Sequence, residues 1–139
     1  MSLLHNASCV AIGARAVLIE GPSGSGKSSL ALALIDRGAA LIGDDGVLIE
    51  VRGDRLHTFP PPNIAGLLEV RNLGLLRFPT AADLPVALVL RLDAEAPRFI
   101  EAAEAARIAG VAVPLVRLWR DGPNLAHKAE LALVRYGLA

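Results

Sequence analysis

Cysteine, aromatic residues and excess charge are scarce in this sequence. Its single cysteine, Cys9, excludes an intramolecular disulfide and a cysteine-rich zinc site. Aromatic residues make up only 4% of the 139 residues, so the core has to be built from Leu, Ile, Val and Ala. Lysine and arginine together number 14, as do aspartate and glutamate, which leaves no basic excess of the kind that nucleic-acid binding uses. We therefore expect no nucleic-acid partner, and weak charge repulsion favours self-association.

Long apolar runs are also missing. No stretch of about 18 apolar residues is present, so we expect no membrane-spanning helix. The opening Met-Ser-Leu-Leu-His lacks the basic and then apolar layout of a signal peptide, which predicts a cytoplasmic location. With 53% hydrophobic and 20% charged residues, the composition is that of a globular protein, and residues 1–139 are expected to form one domain.

The first half of the chain has the pattern of an α/β unit. Arg15–Glu20 is a short apolar run that predicts a strand, and Ser28–Arg37 reads as a buried helix that Gly38 ends. Ala39–Ile42 predicts the next strand. A strand–loop–helix–strand order predicts that these two strands are parallel neighbours in the sheet.

The rest of the chain mixes strands and helices. Arg52-Gly53-Asp54 is typical of a hairpin turn between two short apolar runs. Further strands are predicted at Val47–Val51, Arg55–Phe59, Val86–Leu92 and Val113–Trp119, and helices at Pro97–Ala109 and Asn124–Tyr136, the latter with Asn124 as its N-cap.

The loop between the first predicted strand and helix matches a complete phosphate-binding motif. Gly21-Pro22-Ser23-Gly24-Ser25-Gly26-Lys27-Ser28 has the form G-x-x-x-x-G-K-[ST]. Its glycines let backbone N–H groups turn inward around an anion, and the helix that follows presents its positive end. Lys27 is expected to reach the β- and γ-phosphates and Ser28 to join a Mg²⁺ shell, with Ser29 next to the phosphates. The motif predicts nucleotide binding but does not identify the phosphate acceptor.

Two adjacent carboxylates follow the second predicted strand. Asp44 and Asp45 lie where the end of a strand beside the phosphate loop is expected. One of them can contact Mg²⁺ and the other can take a proton from an attacking hydroxyl. Which of the two is the base stays open.

These motifs, in this order, resemble the catalytic domain of HPr kinase/phosphorylase. The phosphate loop and Asp44-Asp45 are followed by Leu68–Leu76, which is similar to the signature of that family. Arg120–Ala126 is similar to the family's segment before its C-terminal helix, and His5 stands where the family has a histidine. The resemblance covers most of the chain.

The resemblance implies a fold and an activity. The fold is an α/β P-loop fold similar to that of phosphoenolpyruvate carboxykinase, with a mixed sheet and flanking helices. Members transfer the γ-phosphate of ATP, with Mg²⁺, to a serine of HPr, the carrier protein of the sugar phosphotransferase system. Many also run phosphorolysis of phosphoserine-HPr, and hexamers are usual, which implies a homo-oligomer here.

The resemblance also implies roles for particular residues. It makes Asp44, Asp45, Lys27, His5 and Arg98 catalytic, with Ser28, Asp44 and Glu69 near the metal. Glu69 and Arg71 belong to the signature and would share one face of a strand, His5 would face the site, and Arg98 is a looser match to a mobile-loop arginine.

Some positions depart from the family pattern. Asn72 replaces a glycine of the signature, and Pro123 replaces an arginine of the last motif. The chain resembles a short form in which the catalytic domain stands alone. Two alternatives therefore stay open: a non-catalytic nucleotide-sensing module that regulates a partner, and a P-loop kinase of small metabolites.

Overall fold

A computed structural model describes residues 2–139 as a curled mixed sheet with two helices. The strands are β1 (Ser2–His5), β2 (Ser8–Ile12), β3 (Arg15–Glu20), β4 (Ala40–Gly43), β5 (Val47–Arg52), β6 (Arg55–Phe59), β7 (Leu67–Val70), β8 (Gly74–Arg77), β9 (Leu84–Leu92), β10 (Glu104–Ile108) and β11 (Val111–Leu118), and the helices are α1 (Lys27–Asp36) and α2 (Leu125–Tyr136). The mixed sheet and flanking helices confirm the predicted fold class.

The long strand β9 organises the main sheet. The strand order is β1-β5-β6-β9-β3-β2-β4, and β10 joins through β11, which also pairs with β9. β9 runs parallel to β3 along one edge. Its other edge is shared, because β6 pairs with its first residues and β11 with its last. β7 and β8 form a separate hairpin.

Both faces of the sheet are buried, which explains why its strands read as continuous apolar runs. On β3, Val17 and Ile19 pack against α1 and α2, whereas Ala16 and Leu18 pack into a second core. That second core contains residues from β2, β5, β6, β9 and β11, so the curled sheet wraps around it. Within residues 2–139, neither helix has the length and apolarity needed to cross a membrane.

The prediction that β3 and β4 are adjacent strands of the sheet is wrong. β2 lies between them and pairs antiparallel with both. β3 and β4 therefore still point the same way, and their carboxyl ends reach the same edge of the sheet. The prediction failed because β2, which precedes β3, takes the position that a simple crossover would give to β4.

The predicted helix at Pro97–Ala109 is also wrong. Glu104–Ile108 is strand β10, and the residues before it are irregular. Ala109 and Gly110 have φ values of 50° and 82°, which is the conformation of a two-residue hairpin turn. Pairing with β11 overrides the helix propensity of the alanine and glutamate residues, which is a weak preference.

Two local predictions need smaller corrections. Asn124 does precede α2, but it has left-handed backbone angles and its side chain makes no capping hydrogen bond. Glu69 and Arg71 do not share a strand face, because β7 ends at Val70 and Arg71 lies in the turn. In that turn Asn72 has φ 75°, a conformation that asparagine tolerates better than most residues, so it can replace glycine there.

Candidate active site

The predicted phosphate loop connects β3 to α1, as the motif requires. Gly24 and Gly26 have φ values of 77° and 101°, and a side chain on either would meet open space rather than protein atoms. The loop therefore has free space at both positions. Lys27 Nζ donates to the Gly21 carbonyl at 2.9 Å, which folds the lysine back over the loop.

The first glycine of the loop is required for a different reason. A Cβ atom on Gly21 would come 2.5 Å from Ser25 Oγ and 3.2 Å from the Leu92 carbonyl oxygen. The loop is thus pressed against the end of β9. This contact fixes the base of the phosphate loop relative to the centre of the sheet.

Asp44 is the point at which four segments meet. Its Oδ1 accepts hydrogen bonds from the hydroxyls of Ser28, at 2.6 Å, and Ser8, at 3.1 Å. Its Oδ2 accepts from the backbone N–H of Glu69 at 3.0 Å. One carboxylate therefore joins α1, β2, β7 and the end of β4, and it holds the serine of the phosphate loop directly.

The conformation and exposure of Asp45 indicate a different role from that of Asp44. It has a left-handed φ of 57°, its backbone N–H donates to Ser8 Oγ at 3.3 Å, and the residue is exposed. The sharp turn at Asp45 separates the two carboxylates, so that one is held in hydrogen bonds and the other is open to solvent.

Sequence reasoning missed Ser8. It is fully buried, and its hydroxyl both donates to Asp44 and accepts from the N–H of Asp45. A hydroxyl within the otherwise apolar strand Ser8–Ile12 was the available signal, because a buried polar group needs partners.

His5 belongs to a charged group at the opening of the loop. Its Nε2 lies 2.9 Å from Glu20 Oε2, and Arg91 donates to Glu20 Oε1 at 2.7 Å. The hydrogen bond with His5, aided by Arg91 and opposed by burial, holds the pKa of Glu20 below its usual range. Sequence reasoning missed Glu20 and Arg91, although each is a charged residue near the end of an apolar strand.

A cavity of about 630 Å³ lies beside this group and reaches Gly21, Pro22 and Asp93. We call it the entry cavity. Asp93 is held by hydrogen bonds from the Glu95 backbone N–H and from Arg117, which keep its pKa below the usual range. The entry cavity thus brings His5 to the first residues of the phosphate loop.

The remaining candidates are more scattered. The side chains of Glu69 and Arg71 are exposed, although the backbone of Glu69 contacts Asp44. Arg98 lines a cavity against α2 that shares no lining residue with the cavities bordering the phosphate loop. Arg120, to which the sequence gave no catalytic role, donates to the Gly24 carbonyl at 2.8 Å.

The loop and Asp44 fit a nucleotide with its magnesium ion. Among residues 2–139, no three His, Cys, Asp or Glu side chains converge as a complete metal site. Mg²⁺ at phosphates, however, is usually bound by one or two carboxylates with the phosphates and water completing its shell. The Ser28 hydroxyl and the Asp44 carboxylate provide that partial set. Ser25 Oγ, buried and without a partner among the described residues, provides a further polar atom in the loop.

Known proteins resemble this chain in sequence. Residues 2–82 match the family model of the HPr Serine kinase C-terminal domain. HPr kinase/phosphorylase of Cupriavidus necator is 37% identical over 130 residues, covering 84% of this chain and 40% of that protein. The protein of the same name from Burkholderia cenocepacia is 36% identical with the same coverage. The chain thus spans well under half the length of these relatives.

A solved structure shares the fold over nearly the whole chain. The structure of the Hpr(Ser) kinase/phosphatase from Coxiella burnetii superposes with a TM-score of 0.84 at 27% sequence identity. The match covers 96% of this chain and 88% of that one.

Proposed function

Because this chain belongs to the family of HPr serine kinase C-terminal domains, we propose that it transfers the γ-phosphate of Mg-ATP to a serine of an HPr-type carrier protein. The observation that carries the proposal is the 2.6 Å hydrogen bond between Ser28 of the phosphate loop and Asp44 of the acidic pair. It joins the two motifs that phosphoryl transfer needs, one for the phosphates and one for the metal and the acceptor hydroxyl.

Different residues of the chain are proposed to bind the nucleotide and the metal. The loop Gly21–Ser28, with Ser29 beside it, binds the phosphates of the nucleotide, and Lys27 turns from the Gly21 carbonyl to the phosphate oxygens. The Ser28 hydroxyl and the Asp44 carboxylate would hold Mg²⁺, with Glu69 beside them, and the ion would neutralise charge on the phosphates.

Asp45 is the proposed general base. Asp44 already accepts three hydrogen bonds, whereas Asp45 is exposed and can meet a serine of a protein substrate. Asp45 orients the serine hydroxyl and takes its proton, and in phosphorolysis the same carboxyl returns a proton to the serine oxygen. His5, held by Glu20, faces the entry cavity, through which the acceptor approaches.

Arg71 and Arg98 are proposed as contacts to the carrier protein. Both are exposed, and guanidinium groups suit phosphate oxygens and carboxylates. We expect the enzyme to act on the carrier as a homo-oligomer, and a hexamer is the family's usual form.

The test is transfer of labelled γ-phosphate from Mg-ATP to purified HPr, with the wild type and the variants Lys27→Ala, Asp44→Asn and Asp45→Asn. Lys27→Ala should lower transfer by two or more orders of magnitude, because it removes a charge that stabilises the transition state. Asp44→Asn should raise the Mg²⁺ concentration needed for half-maximal transfer. Asp45→Asn should lower kcat by about 10²-fold or more and leave the Mg²⁺ requirement unchanged.

Two results would contradict the proposal. Tight Mg-ATP binding without label on any HPr would favour a nucleotide-sensing module. Rapid label transfer to a small hydroxyl compound but not to HPr would favour a metabolite kinase.

A third result bears on the two aspartates alone. Equal effects of Asp44→Asn and Asp45→Asn on the Mg²⁺ requirement would refute the division of roles between the two carboxylates.

A further inference from the structure

We propose that a second cavity, between α1 and the start of α2, binds the nucleoside of ATP; this inference rests on the proposed function. The cavity has a volume of about 260 Å³. Its lining includes Ser25, Ser29, Ala33, Arg120, Asp121 and Ala126. We call it the nucleoside cavity.

Its position follows from the two sides of α1. Ser25, in the loop, and Ser29, in the first turn of α1, both line the nucleoside cavity. Ser28 is turned about 100° away from Ser29 on the helix and faces Asp44. The metal side and the cavity side of the phosphate loop are therefore different sides.

The entry cavity is the less suitable place for a nucleoside. It begins at Gly21 and is lined by the hydrogen-bonded side chains of His5, Glu20 and Arg91 together with Asp93. An acceptor that approaches the γ-phosphate needs such polar groups. With the acceptor on that side, we place the other end of the nucleotide towards α1 and α2, where the nucleoside cavity borders Ser25 and Ser29.

The chemistry of the nucleoside cavity matches its proposed ligand. Leu30, Ala33, Leu125 and Ala126 give it apolar walls, which suit a flat base. The Asp121 carboxylate, at its exposed side, can accept hydrogen bonds from ribose hydroxyls.

Arg120 connects this cavity to the phosphate loop. Its guanidinium donates to the Gly24 carbonyl at 2.8 Å and its Nε lies 3.4 Å from Asp121. The segment before α2 is thereby attached to the loop that binds the phosphates. A nucleotide held by the loop would thus have Arg120 and Asp121 next to its nucleoside.

The experiment compares Mg-ATP with Mg-tripolyphosphate by isothermal titration calorimetry. Tripolyphosphate has the phosphates without the nucleoside. Ala33→Phe and Ala126→Phe fill the nucleoside cavity, and Ala105→Phe, on the exposed strand β10, is the matched control. We expect each cavity variant to weaken ATP binding by about tenfold or more and to leave tripolyphosphate binding within about twofold, whereas the control changes neither.

Because the phenylalanine variants could fail to fold, a surface variant tests the inference without filling the cavity. Asp121→Ala should reduce the preference for ATP over 2′,3′-dideoxy-ATP, because the carboxylate no longer meets the ribose hydroxyls. Unchanged ATP affinity in both phenylalanine variants, or an unchanged ribose preference in Asp121→Ala, would overturn the inference. Equal loss of ATP and tripolyphosphate in folded variants would also overturn it. If the wild type bound neither ligand, the proposed function itself would fail.

Discussion

Asp44 shows how one residue can link the fold to the proposed chemistry. Its two oxygens receive hydrogen bonds from a helix, a buried strand and a separate hairpin. Asp44 is half-buried and Ser8 is fully buried, and polar groups shielded from water are costly unless they are paired, so these hydrogen bonds also stabilise the positions of the segments that carry them. The same carboxylate that arranges the site is the one we propose for the metal.

Glu20 is the second residue at which stability and the site meet. We expect Glu20→Gln to destabilise the protein at neutral pH by roughly 1.5 kcal/mol, the size of a hydrogen bond to a charged group. The side chain of Glu20 is only 15% exposed and holds both His5 and Arg91, so solvent replaces those partners poorly. Urea unfolding of both proteins across a pH series measures the difference.

The lowered pKa of Glu20 determines how its contribution to the free energy of unfolding changes with pH. Because the pKa of Glu20 is lowered in the folded state, its stabilising effect is present above the ordinary glutamate value of about 4.3 and is lost as pH falls through the folded-state pKa. The difference between wild type and Glu20→Gln should therefore shrink towards zero in acid. A difference that stayed constant from neutral to acidic pH would mean that the ion pairs do not stabilise the fold. Glu101→Gln, at an exposed position, serves as the control.

At the scale of elements, the sequence predicted what depends on local patterns. The strand Arg15–Glu20, the hairpin of β5 and β6, and the phosphate loop follow from apolar runs and turn residues, and all were found where predicted. The insertion of β2 between β3 and β4 and the strand β10 depend on pairing between distant residues. Ala105 opposes Pro114 and Cys9 opposes Gly43, and no local pattern encodes either pairing.

The site shows the same division. The motif predicted Lys27 and Ser28, because neighbouring residues along the chain make up the loop. Ser8, Arg91 and the contact of Arg120 with the loop were missed, because each depends on a contact between residues distant in sequence.

The hairpin of β7 and β8 yields a prediction about an element. Leu68 is fully buried against the core that includes α1, whereas all four residues of β8 are exposed. Leu68→Ala should therefore destabilise the protein by about 2–5 kcal/mol through the cavity that it leaves. It should also raise the KM for Mg-ATP in the phosphotransfer assay, because the backbone of the adjacent Glu69 contacts Asp44.

Leu75→Ala is the matched control for this change. Leu75 lies on β8 and is 65% exposed, so its loss should alter the free energy of unfolding by about 0.5 kcal/mol or less. The urea denaturation midpoints of the two variants compare their stabilities. Equal midpoints would show that the hairpin is not anchored by Leu68.

At the scale of the whole molecule, the buried and exposed apolar residues are unevenly placed. The two cores on either side of the sheet account for its interior. Outside them, Phe99 is 83% exposed, and Val134 and Leu131 on the outer side of α2 are 77% and 54% exposed. Phe99 and Leu131 line a common groove, and we call these three residues the α2 surface.

The α2 surface predicts how the proposed oligomer assembles. The chain has a formal net charge of zero, so little repulsion opposes contact between copies through exposed apolar side chains. We expect light scattering after size-exclusion chromatography to give a mass above that of one chain for the wild type. The double variant Leu131→Glu/Val134→Glu should give a smaller mass, because four charges would face each other across a two-fold contact.

Leu75→Glu, also at an exposed apolar position but on β8, should keep the wild-type mass. A smaller mass for Leu75→Glu alone would move the interface to the β7–β8 hairpin, and a wild type with the mass of one chain would exclude a stable oligomer under those conditions.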